Sequence, residues 1–348
     1  MRQKLDRLAV YNGNWELVGK ITNHAGLTWV RRYQDVGEYS IKLLRTPENV
    51  ALIKKGYILY KGTGGEAAFI ENIYSDNYSG AETTFMVTGR FLSCILDWRE
   101  CMKPVTAGVF SGAYSMSASQ AIQQILADNF TAPSEAGRKM PDLLLGNMTT
   151  SHSPAVNVDY TSTSALDAVR ELAAACGAGF RVVYLPSAKK YRFELYEGRQ
   201  TDAVFSRKFK NITSQSYTRL TANMRTTCYM KQKDYTHVFG NSATGMNRRE
   251  GHAISASNSP DPLDVQAAAW LHERQVKDSL DTVIDFNNHQ FKYKADWDLG
   301  DIVRCGSEAW GVTLDKNVLE IAEYYELGGY NIAITFGDLP GGYAGRLI

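Results

Sequence analysis

The sequence predicts a mainly β protein with α+β inserts, built as two β-barrel-like domains plus smaller α+β subdomains. Three observations carry this. Residues 6–90 alternate apolar and polar side chains in short segments with a turn signal about every ten residues. Residues 91–200 change to stretches of helical periodicity. Residues 201–348 return to short strands with one helix among them. The expected division is 1–97 for a first β-barrel domain, 98–200 for an α+β insert and 201–348 for a second β-barrel domain with a helix at 264–280. Part of 240–280 is expected as a further small subdomain.

In chain order, Leu8–Tyr11 and Trp15–Val18 flank Asn12-Gly13-Asn14, a hairpin signal. Strands follow at 26–33 and 37–43. Thr46 and Pro47 are the residues favoured at the N-cap and first position of a helix, here Val50–Lys54. Strands near 57–61, 66–75 and 81–89 complete the first region, and Phe91–Asp97 reads as a helical turn.

A helix opens at Ser117-Ala118-Ser119-Gln120 and runs through Phe130, with Ala121, Ile122, Ile125 and Leu126 on one face. A second starts at Ser162-Thr163-Ser164 and ends at Gly177. Phe180–Tyr184 and Tyr191–Tyr196 form a hairpin around Pro186-Ser187. Strands are expected at 211–219, 222–231, 235–239 and 249–256. After the helix at 264–280 come strands at 281–289, 300–305, 309–314, 317–326 and 330–336. On that helix Val265, Ala268, Ala269, Leu271 and Val276 make a stripe for packing on its own barrel or, alternatively, on a neighbouring subunit.

Composition removes several function classes. Lys plus Arg number 38 against 37 Asp plus Glu, a net charge of +1, so nothing in the charge balance calls for nucleic acid or an anionic membrane. The start carries no apolar secretory core, and no run approaches the ~18 apolar residues of a membrane span. Synthesis in a cytoplasm is the expectation. Twenty tyrosines suit β structure and contact surfaces. The five cysteines, Cys94, Cys101, Cys176, Cys228 and Cys305, are dispersed, as reduced thiols are.

No motif selects catalytic, cofactor-binding or metal-ligating residues. Gly62-Thr63-Gly64-Gly65 and Gly328-Gly329 lack the lysine and helix of a phosphate loop and read as turns. Ala113–Ser117 is Ser-rich but lacks a nucleophile elbow. His24, His152, His237, His252, His272 and His289 form no zinc pattern. Asp296, Asp298 and Asp301 cluster, but the spacing misses the calcium-loop template: Leu299 and Gly300 stand fourth and fifth, and Ser307 twelfth. A strand-opening turn is the simpler reading, with aspartates bonding nearby amides and Gly300 making the reversal. Arg31-Arg32, Lys54-Lys55 and Arg248-Arg249 read as strand-edge or solvated charges.

Four segments, in order, resemble the tail-tip hub proteins of long-tailed phages, the N-terminal module of the tail-associated lysins and relatives of contractile-tail baseplate hubs. They are Trp29–Tyr33 with Val36–Leu43, then Ile53–Leu59, then Thr84–Arg99 with its Gly89-Arg90 exit, then Asp298–Val303 with Phe336-Gly337. Residues 104–160 match no segment of that pattern. The sequence reaches Ile348 without the peptidase or muramidase module of longer relatives, which puts lytic function in doubt.

The resemblance implies a homotrimeric hub whose two barrels per chain make a pseudo-sixfold ring. Its partners would be a distal tail or tail tube protein, a tape-measure protein and a spike or fibre protein. No nucleic-acid specificity, membrane span, cofactor or enzymatic activity is expected, and the protein would reside in a virion tail assembled in a bacterial cytoplasm. The rival readings are a cell-wall hydrolase of the tail tip, the hub of a contractile injection system and a receptor- or glycan-binding β-protein.

Overall fold

The first hairpin forms, with β1 (Leu8–Tyr11) antiparallel to β2 (Leu17–Ile21). The structure, a computed structural model, describes residues 8–62, 64–75, 83–102, 116–156, 160–255, 262–285, 290–326 and 329–338. In the hairpin's turn the positive φ (60°) falls on Trp15 and not on Gly13. The Asn12 side chain explains this, because its Oδ1 accepts from the amides of Asn14 and Glu16 and closes the turn locally.

β3 (His24–Arg32) and β4 (Glu38–Leu44) alternate as expected, burying Leu27 and Trp29 on one strand and Tyr39, Ile41 and Leu43 on the other. Thr46 caps α1 (Pro47–Leu52) by accepting from the Asn49 amide at 3.2 Å. β5 (Ile58–Tyr60), β6 (Ala67–Phe69), β7 (Asn72–Tyr74) and β8 (Thr84–Arg90) follow. The sheet β2-β1-β5-β6 faces β3, β4 and β8 across a core containing Leu8, Val10, Leu59, Trp29, Ile41 and Val87.

The turn expected at 91–97 is a 3-10 helix, Leu92–Trp98. Beyond it lie β9 (Met116–Ser117), α2 (Ala118–Leu126), β10 (Leu143–Leu145), β11 (Ala155–Val156), α3 (Ala165–Ala175), β12 (Gly179–Leu185) and β13 (Lys190–Tyr196). Ser117 and Gln120 form a reciprocal capping box at the start of α2. Ser164 caps α3, and Gly177 (φ +66°) follows its end. The two helices pack with the sheet β10-β13-β12 around Ile122, Ile125, Val169, Leu172, Phe180 and Phe193.

The last region holds β14 (Gln200–Phe205), β15 (Ile212–Leu220), β16 (Thr227–Gln232), β17 (Tyr235–Gly240), β18 (Glu250–Ile254), α4 (Leu263–Glu273), β19 (Lys277–Ile284), β20 (Ile302–Ser307), β21 (Val312–Glu326) and β22 (Gly329–Gly337). Two strands expected at 309–314 and 317–326 are one long strand, β21. It pairs with β22 along one edge; along the other it pairs first with β20 and then with β3. The result is a ten-stranded sheet, β15-β19-β22-β21-β3-β4-β8-β7, with β20 and β14 attached beside β21.

β14, β20, β21, β22, β19 and β15 enclose a second core that includes Phe205, Trp297, Val303, Ile321, Ile334 and Phe336. The side chain of Asn211 ties the turn between β14 and β15, accepting from Ser206 N and donating to Val204 O. The mainly β fold with α+β insertions holds. Among the described residues the strand orders are open, with no ladder joining the first strand of a sheet to its last.

The helix expected at 264–280 ends at Glu273, and 277–280 belongs to β19. Residues 277–280 pair with β15, and from Leu280 onward β19 pairs with β22 as well; that pairing overrides local helix propensity. Of the expected stripe on α4, Leu271 packs inward as expected, joined by Ala267 and Trp270 against β16 and its neighbours, while Val265 and Ala268 are exposed. Residues 222–226 precede β16 and are not strand. Thr63, residues 81–82, Ala113–Ser115, His289, Gly328 and parts of the expected 249–256 and 281–289 strands lie outside the described residues. Among the described residues no helix is long and apolar enough to cross a membrane.

Candidate functional site

The three clustered aspartates build a turn, and the turn locks the two β cores together. Asp296 accepts from Lys292 N at 2.7 Å, Asp298 from Leu299 N at 2.8 Å, and Asp301 from Asp298 N and Arg199 N at 2.9 Å each. Gly300 has φ +92°, and a Cβ there would stand 2.3 Å from the Tyr33 ring. The Tyr33 hydroxyl donates to Gly177 O at 3.0 Å and accepts from Gly198 N at 3.2 Å. One tyrosine therefore touches the first β region, the α+β insert and the closing turn.

Beside it, Arg31 is a correction to the reading of Arg31-Arg32 as edge or solvated charges. β3 is an internal strand because β21 covers its outer side, and strand alternation sends Arg31 inward with Trp29 and Tyr33. Its guanidinium reaches Glu66 at 2.6 Å, Asp298 at 2.5 Å and the Tyr293 hydroxyl at 2.9 Å. Burial alone would lower its pKa, but Glu66 and the other partners hold it raised and charged. Arg32, on the opposite face, spans Glu38 and Glu320. Lys54, Lys55 and Arg249 are exposed, as expected of solvated charges.

Glu323 of β21 is the centre of the network, at 1 % exposure. Lys61 and Tyr325 donate to one oxygen, Tyr293 donates to the other at 2.9 Å, and Lys294 lies at 4.0 Å. Burial opposes its charge, yet Lys61 and the donors hold the carboxyl down to about 2. Burial has the upper hand on Lys61 itself, whose pKa is lowered although Glu323 raises it. The convergence of three donors and a second cation on Glu323 favours the ionised pair. The Lys61 ammonium also lies 4.9 Å from the Tyr325 ring centre and 5.7 Å from that of Trp29.

Asp298 and Asp301 thus serve Arg31, Arg199 and the turn's own backbone amides. Lys61, Glu66, Tyr293 and Glu323 were not singled out from the sequence. A signal existed: Glu323 shares strand parity with Ile321 and Tyr325, and Lys61 with Leu59, so each charge falls among inward apolar positions.

The Gly89-Arg90 exit has its own geometry. A Cβ on Gly89 would sit 1.8 Å from the Phe69 carbonyl oxygen, so only glycine lets the chain at β6 cross there. Arg90 then holds Glu71 at 2.9 Å and Asp97 at 3.1 Å, fastening the 3-10 helix to the sheet. His152, His237, His252 and His272 are exposed. His24 is half-buried, and burial lowers its pKa. Among the described residues no three His, Cys, Asp or Glu side chains converge as a metal site.

The family model for the Siphovirus ReqiPepy6 Gp37-like protein matches residues 7–338. No curated protein matches the chain. Solved structures share its fold over nearly its whole length. A 43 kDa tail protein of prophage MuSo2 from Shewanella oneidensis is 9 % identical, with TM-score 0.62 and coverage of 96 % of this chain and 98 % of that one. A tail protein from Neisseria meningitidis MC58 is 11 % identical, with TM-score 0.60 and coverage of 95 % and 96 %. Prophage tail protein gp18 from Listeria monocytogenes EGD-e is 11 % identical, with TM-score 0.59 and coverage of 96 % and 95 %.

Proposed function

The chain belongs to the Siphovirus ReqiPepy6 Gp37-like family, and on that premise we propose that it is the structural hub of a phage or prophage tail tip. Three copies form a ring that joins the tail tube or distal tail protein to the spike or fibres. The observation that carries this reading is β21, one strand shared by two β cores within a single ten-stranded sheet. The sheet presents an unpaired edge at each end among the described residues, β15 on one side and β7 on the other. Copies joined head to tail through unlike surfaces close into a ring when their rotation closes. Two β cores per chain turn threefold symmetry into near-sixfold symmetry, so a sixfold partner can be met twice by each copy.

In this reading the units are 1–97, 98–200 and 201–348, and the Arg31–Glu323 network holds the first and third in one orientation. The role is mechanical and draws on no catalytic residue or cofactor. The tape-measure protein is a further partner, and the ring resides in the virion tail after assembly in the host cytoplasm. Electron microscopy of purified tail tips tests the proposal. It predicts a threefold density that holds three copies of this fold around an axial channel; density with one copy per tail, or with the chain only in peripheral fibres, refutes it.

A further inference from the structure

We infer that the groove on the outward face of β3, β4, β8 and β7 is a binding site for a neutral saccharide. The groove measures about 990 Å³, within the usual range of small-ligand sites. Its floor is a row of small polar side chains set opposite one another across four strands: Thr28, Ser40, Thr88 and Asn72. Asn72 donates to the Thr88 hydroxyl at 3.3 Å. The hydroxyls of Thr28 and Ser40 face the groove without a protein partner among the described residues. Each can donate and accept, as a sugar hydroxyl requires.

Three inter-strand steps of about 4.8 Å make a floor about 14 Å long, room for about three linked pyranose rings. The groove is bordered by Trp98, 45 % exposed and backed by Phe69 at 5.0 Å between ring centres. An aromatic face packs against the C–H face of a pyranose. The charges lining the groove cancel, Glu38 and Glu71 against Lys55 and Arg90, and Arg90 is already paired with Glu71 and Asp97, which favours a neutral ligand over an anionic one. This goes beyond the hub reading and does not depend on it.

The test applies the full-length chain to an array of bacterial cell-surface oligosaccharides and titrates the hits by calorimetry. The expected result is saturable binding of a neutral oligosaccharide, weakened about tenfold or more by Trp98→Ala and by Ser40→Arg. Both variants, on different elements, should keep the parent's unfolding midpoint and mass. Absence of saturable binding overturns the inference, as does binding that both variants leave unchanged. A Ser40→Arg variant that alters the oligomer instead assigns the face to a contact between copies, which also overturns it.

Discussion

Removing the charge of Glu323 tests how the two β cores are coupled. In the parent, Glu323 and Lys61 are 1 % and 3 % exposed. Glu323→Gln leaves the Lys61 ammonium buried with only an amide oxygen and two ring faces, and the expected cost is about 3 kcal/mol, the lower end for breaking a buried pair. Lys61→Met leaves the carboxylate with two tyrosine donors and Lys294, so its expected cost is smaller, about 2 kcal/mol. The double variant carries no buried charge at either position. It should cost at least about 2 kcal/mol less than the sum of the singles.

Urea unfolding followed by tryptophan fluorescence reads this directly, because Trp29 lies beside Lys61. The same carboxylate sets a pH window. Its folded pKa is held down from 4.5 to about 2, so its contribution is fully present above the ordinary carboxylate value and drains away as the pH falls toward 2. That displacement corresponds to about 3 kcal/mol. Glu323→Gln should lose this part of the acid sensitivity. Additive single and double costs, with an unchanged pH profile in the glutamine variant, would refute the idea of a coupled ionic lock.

Gly89→Ala should destabilise the first β core by about 3 kcal/mol, since the new methyl meets a backbone carbonyl that cannot rotate away; an unfolding midpoint equal to the parent's contradicts that. All five cysteines are free and buried, and burial raises Cys101 to about 11 and Cys94 to about 12. A thiol reagent should therefore react slowly with the native chain and reach five thiols only after denaturation. Fast native labelling of Cys94 or Cys101 would show that the core opens.

Local chemistry made much of the fold legible. Ser117 with Gln120, Ser164 with Gly177, and Thr46 with Pro47 each specify a helix end through bonds within a few residues. Asp298-Leu299-Gly300-Asp301 likewise specifies its own turn. The pairing of β21 with β3 joins residues about three hundred positions apart, and no local signal encodes such a partner. Once that pairing is known, the burial of Arg31 follows from strand parity. The end of α4 is obscured for a related reason: Lys277–Leu280 reads as helical alone and becomes strand by pairing with β15, about sixty residues earlier. The closing turn is local backbone chemistry legible in the sequence, while its long-range work, the Asp298–Arg31 bridge, depends on the fold.

The central claim is a ring of three, and the mass of the purified chain in solution tests it most directly. Light scattering across rising concentration should approach three copies of 38.8 kDa, about 116 kDa. A mass that stays at one copy at the highest concentration, or that settles on two, contradicts the account.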